Sequence, residues 1–232
     1  MRNPYEIEIC VDSLESAIGA QECGADRVEL CARLDLDGLT PEIELIQKVR
    51  DALDIDVHVI IRPISGSFEA SVLVLEVMLR SIEACHEIGV DGIVAGVLNK
   101  DRSIDMEGLA ELKNGAFGKN FTFHRAFDVC KNPNITLDQL MSFKINRLLT
   151  SGQADQAING IDLIGLLVQQ SEGKTGIMAG SGVNASNIPA LWNVGVRQFH
   201  FTSHVANAKG KLIFDPSKTR AVKDVLESLC DT

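Results

Sequence analysis

Reactive side chains recur at alternate positions of short apolar segments in this chain. Glu8 and Cys10 share one parity of 6–11, Glu29 and Cys31 one parity of 26–31, and His58 and Arg62 one parity of 56–62. His124 falls on the same kind of position in 120–125, and His200 in 197–202. Two carboxylates near an imidazole can move a proton near neutral pH, which makes Glu8, Glu29 and His124 candidate acid–base groups. Thiols on neighbouring strands about 4.8 Å apart can offer two soft ligands to one metal ion, so Cys10 and Cys31 are a candidate metal pair. Arg62, Arg125, Thr150, Ser151, Gly180 and Gly182 lie where such segments end, and their donors suit an anion.

These residues need elements to carry them. Eight strand-length segments, 6–11, 26–31, 56–62, 91–97, 120–125, 145–150, 175–179 and 197–202, alternate with eight segments of helical spacing. The helical segments are 13–22, 41–53, 72–88, 105–114, 136–143, 157–170, 186–193 and 217–229. Gly24-Ala25-Asp26, Gly89-Val90-Asp91 and Gly195-Val196-Arg197 each end a helix and start a strand. Eight βα units with nothing longer than a loop between them predict an α/β fold, a single (β/α)₈ TIM barrel over residues 1–232. An open doubly wound sheet is the competitor, but the first turn, Cys10-Val11-Asp12-Ser13-Leu14, lacks its glycines.

The barrel sorts each strand in two. The apolar parity, such as Ile7, Ile9 and Val11, must meet the helices. Glu8, Cys10, Glu29, Cys31, His58, Arg62, His124 and His200 then face the axis. Unpaired charge there costs several kcal/mol, so Glu8, Glu29, Arg62 and His124 are expected to form one buried network near the carboxyl ends of the strands. A purely structural polar plug is the other reading. Buried cysteines are equally at home as small hydrophobes, and a βα turn uses glycine with or without an anion.

Bulk properties remove other classes. The chain has 232 residues with 22 Lys+Arg, 32 Asp+Glu and a net charge of −10, so a nucleic-acid partner is not expected. The longest basic cluster is Lys209-Gly210-Lys211, and no apolar run approaches a membrane span, so no membrane partner is expected either. No signal peptide is evident in Met1–Glu6, and six dispersed cysteines without a CxxC read as reduced thiols in a cytoplasm.

Several segments together resemble the copper homeostasis protein family CutC. They are Glu8-Ile9-Cys10-Val11-Asp12-Ser13-Leu14-Glu15-Ser16-Ala17, Gly24-Ala25-Asp26-Arg27-Val28-Glu29-Leu30-Cys31 and Gly38-Leu39-Thr40-Pro41. Ile61-Arg62-Pro63, Thr122-Phe123-His124-Arg125-Ala126-Phe127-Asp128 and Leu149-Thr150-Ser151-Gly152-Gln153 continue the series. The resemblance implies a (β/α)₈ barrel, a cytoplasmic protein and a role tied to copper. The chain departs from the family pattern at Ile64-Ser65-Gly66-Ser67, at Ala179-Gly180-Ser181-Gly182 and at the opening of the third helix.

Two functional expectations follow. One is a copper-homeostasis protein binding Cu(I) through Cys10 and Cys31. The other is a barrel enzyme acting on a small anionic or phosphorylated metabolite, using Glu8, Glu29 or His124 as acid or base and the anion-binding groups above. The apolar excess of Val72-Leu73-Val74-Leu75 and Val77-Met78-Leu79 further suggests a homodimer, or else a loop at 70–73 folded over the barrel mouth.

Overall fold

The computed structural model describes residues 4–207, 210 and 212–230. Eight parallel strands close into one barrel in the order β1 to β8, with β1 paired to both β2 and β8. The strands are β1 (Glu6–Val11), β2 (Arg27–Leu30), β3 (Asp56–Ile60), β4 (Gly92–Ala95), β5 (Asn120–Phe123), β6 (Arg147–Thr150), β7 (Gly176–Ala179) and β8 (Gln198–Phe201). The helices are α1 (Leu14–Glu22), α2 (Ile43–Ala52), α3 (Val72–Ile88), α4 (Met106–Gly115), α5 (Pro133–Ser142), α6 (Ile161–Ser171), α7 (Ile188–Asn193) and α8 (Pro216–Cys230). The fold is the (β/α)₈ barrel that the alternation predicts.

Local chemistry sets the joints. Ser13 caps α1: its hydroxyl accepts from the Ser16 N–H, and the Ser16 hydroxyl accepts from the Ser13 N–H. Gly89 ends α3 in the left-handed region at φ 85°, which a side chain would resist. Helix α2 begins at Ile43 rather than at Pro41, with Glu42 in extended backbone as its cap residue.

Register carries the inward parity around the barrel. Glu8 lies beside Arg27 and His200, Glu29 beside Cys10 and His58, and His58 beside Gly92. The alternate parity, including Ile9, Val28, Val59, Ile93, Phe121, Leu148 and Phe199, is buried against the helices. A separate apolar cluster of Cys10, Cys31, Ile60 and Val94 sits inside the barrel. Gly92 makes room there, since a Cβ would lie 2.4 Å from the His58 imidazole.

One connection differs from expectation. Between β8 and α8 the chain forms an antiparallel hairpin, β9 (His204–Ala206) with β10 (Leu212–Phe214), where only a loop was predicted. Its segments are too short, at three residues each, to show a period of two. Lys209 and Lys211 lie outside the described residues, as do Met1–Asn3. Helix α3 runs over Val72–Ile88 as the helical spacing predicts, with Ser71 as its cap, so the alternative of a loop at 70–73 does not form. Val72 and Leu73 are about three-quarters exposed, whereas Leu75 packs against the core.

Candidate functional site

The carboxyl ends of the strands surround a cavity of about 540 Å³. Cys10, Glu29, His124 and His200 line it from the strands, with Arg62, Arg125 and Gly182 from the loops that follow. A charged layer lies beneath its floor, and sequence reasoning identified its acid but not its base. Glu8, fully buried, accepts from Arg27 Nε at 2.5 Å and pairs with His200 Nδ1 at 2.6 Å. Arg27 also pairs with Glu6 at 2.7 Å and places its remaining amino group 3.2 Å from the Met178 sulfur. His58 stands 3.8 Å from the same Glu8 carboxylate.

Arg27 therefore does the work expected of Arg62. It was legible, because position 27 shares the inward parity of Glu29 and Cys31. The expected network of Glu8, Glu29, Arg62 and His124 does not form. Position 62 lies two residues beyond the end of β3, where the guanidinium meets loop carbonyls instead. It donates to Leu36 O at 2.9 Å and Gly38 O at 3.2 Å, and covers the Phe68 ring at 4.9 Å. His124 packs edge-on against Phe68 and Phe123, and its Nδ1 accepts from the Ala126 N–H.

The remaining candidates divide. Thr150 and Ser151, expected to hold an anion, donate to the Asp128 carboxylate instead. Asp128 also accepts from Gln153 N–H and pairs with Arg125 at 2.8 Å, tying the loop after β5 to the loop after β6. Gly180 N–H bonds Thr150 O in the strand ladder. Glu8 does not reach the cavity wall, because both of its oxygens are engaged below it. His204, four residues after His200, pairs with Asp12 at 3.2 Å.

The sulfur pair is brought together. Cys10 and Cys31 Sγ atoms lie 3.5 Å apart, and Cys10 is 3.7 Å from Glu29 Oε1. Ligand atoms of Cys10, Glu29 and His200 all fall within 4.8 Å of one another. Glu29 and His200 were placed in other roles by the sequence, yet the register sets them at the metal-type cluster. Glu29 Oε2 is buried and has no hydrogen-bond partner among the described residues.

Electrostatics follows from burial and neighbours. Burial lifts Glu29 to about 7, against the pull of His200 and with a push from Glu8. Burial opposes the charge on Glu8, but Arg27, His200 and His58 hold its carboxyl far below the usual range. The hydrogen bond to Cys31 and then burial push the Cys10 thiol well up. Burial lowers His58 to about 4, and burial with the Arg62 charge lowers His124 to about 3.

With the site in place, comparison with known proteins is informative. The sequence profile of the CutC family matches residues 5–205. The chain belongs to the CutC family. It is 42% identical to a CutC family protein of Bacteroides thetaiotaomicron over 201 residues, 86% of this chain and 81% of that one. A CutC family protein of an Enterobacter species is 44% identical over 194 residues, covering 84% and 78%. Among solved structures, a copper homeostasis protein CutC of Streptococcus agalactiae superposes with a TM-score of 0.81 at 31% identity, over 84% of this chain and 97% of that one.

Two outcomes test the electrostatic description. Arg27→Met strands buried negative charge, so equilibrium denaturation should show a loss of about 3–5 kcal/mol. Arg62→Met, which breaks no ion pair, should cost less. His124 is neutral when folded and takes up a proton on unfolding between its ordinary 6.5 and about 3. The unfolded chain binds more protons in that window, so stability falls as pH falls, by about 1.4 kcal/mol per pH unit for this group. His124→Asn should flatten the acid limb by that amount, with His58 and the depressed Glu8 carboxyl contributing to what remains.

Proposed function

We propose that this chain, as one barrel domain over residues 1–232, is a cytoplasmic copper-homeostasis protein that binds Cu(I) at the floor of its cavity through Cys10 and Cys31. The observation that carries the reading is the approach of the two sulfurs to 3.5 Å beside His200 and Glu29. Thiolate and imidazole are the donors a soft, low-coordinate ion prefers. Glu8 engages His200 Nδ1, which fixes the ring and leaves Nε2 free to face a ligand. The unpartnered Glu29 Oε2 beside the thiols is a further donor.

Copper, once bound, neutralises the thiolates it displaces protons from. The chain's own part is to hold the donors. Cys10 comes from the carboxyl end of β1 and Cys31 from just beyond β2, so the parallel pairing of these strands sets their separation. The ion pair of Glu8 with Arg27 braces the same two strands from below. All six cysteines are unpaired, in keeping with a reducing compartment, and no helix of the described residues is long and apolar enough to cross a membrane.

Anaerobic Cu(I) titration against a competing chelator tests this. About one ion per chain should bind, and Cys10→Ser or Cys31→Ser should abolish it. Binding that survives both substitutions would place the metal elsewhere.

The same reading includes self-association as a homodimer. Val72, Leu73 and Val77 leave an exposed apolar strip on α3, which supports a contact with another chain. Light scattering should report a dimer for wild type and a monomer for the Val72→Glu, Leu73→Glu double variant. A monomeric wild type would defeat the idea.

A further inference from the structure

The cavity is far larger than a metal ion needs. At about 540 Å³ it falls in the size range of small-molecule sites, with apolar walls from Leu34, Ile60, Phe68, Leu149 and Phe201. Arg62, Arg125 and Lys218 are the cationic groups that line it, in a chain of net charge −10. Two of the three are already committed. Arg125 is paired to Asp128, and Lys218 donates to His204 O.

Arg62 is different. It is 8% exposed, and none of the ion pairs among the described residues includes it. Its contacts are neutral: the carbonyls of Leu36, Asp37, Gly38 and Gly66, and the face of Phe68. Its Nε is buried and has no partner. Carbonyls satisfy N–H groups but leave the charge uncompensated, and a buried cation without an anion is costly. The carboxylate whose field reaches it is Asp37, exposed in the loop after β2, while burial still draws the guanidinium pKa down. Asp128 is saturated by its own donors.

We infer that the cavity binds a small organic anion, a carboxylate- or phosphate-bearing molecule with an apolar body, whose charged group is received by Arg62. The guanidinium lines the cavity without a paired carboxylate, and its planar, charged fork is suited to an oxoanion. The apolar walls take the rest of the molecule. This ligand is additional to the copper ion, and its recognition does not depend on the thiols.

The test uses the metal-free full chain, with a chelator present, and calorimetric titration of inorganic phosphate, oxalate, malonate and benzoate as probes. At least one probe should bind, with affinity about 10- to 100-fold weaker in Arg62→Met and partly restored in Arg62→Lys. Because the chain is metal-free in this titration, probe binding is read independently of the Cu(I) titration, which separates this inference from the copper reading. Should Arg62→Met not fold, Arg62→Lys alone decides, because loss of the bidentate geometry should still weaken binding measurably. Absence of binding by all four probes, or equal binding in wild type and the Arg62 variants, would overturn the inference. Recognition by phosphate alone would assign the charged group to a phosphoryl ester, and recognition by the carboxylates alone to an organic acid.

Discussion

One buried ion pair organises the inside of this barrel. Glu8 and Arg27 face each other across the β1–β2 pairing, both almost wholly buried, with His200 of β8 on the other Glu8 oxygen. Removing either charge would leave the other in a medium that cannot solvate it. The pair also spans the closure of the ring, where β1 meets β2 on one side and β8 on the other. The residues above it take their positions from this base. Cys10 is the next inward position after Glu8, Glu29 the next after Arg27, and His200 is oriented by its bond to Glu8.

The layer above is set by opposite rules. At the base, charges are matched and the carboxyl of Glu8 stays ionised. At the cavity floor they are unmatched: Glu29 is lifted toward neutrality, and one of its oxygens has no partner. An unsatisfied buried polar atom is costly, and Glu29 Oε2, on the carboxylate beside the Cys10 thiol, is one that a ligand would satisfy. Arg62 repeats the pattern with the opposite sign on the loop side. A matched base beneath an unmatched floor is a scaffold holding a site.

Much of this was legible in the sequence. Alternation of types on six- to seven-residue segments located the inward residues, because side-chain parity in a strand is fixed by geometry. The resemblance in Glu8–Ala17 and Gly24–Cys31 carried the family. The pairings were harder to read. Parity says which side of a strand a residue faces but not its height, so Arg62 was expected to meet Glu8, where Arg27, on the same parity, does. Height is decided by where β3 ends, at Ile60, two residues short of Arg62. Thr150 and Ser151 misled for a related reason: an internal carboxylate, Asp128, occupies donors that the sequence offered to a ligand. The β9–β10 hairpin left too short a pattern to detect.

The central claim is that sulfur from Cys10 and Cys31 forms the primary metal site. X-ray absorption at the copper edge of the Cu(I)-loaded chain addresses it most directly, because the scattering shell reports donor type. The account predicts a first shell dominated by sulfur, two scatterers per copper, with any nitrogen contribution removed by His200→Phe. A first shell of nitrogen and oxygen alone would contradict it.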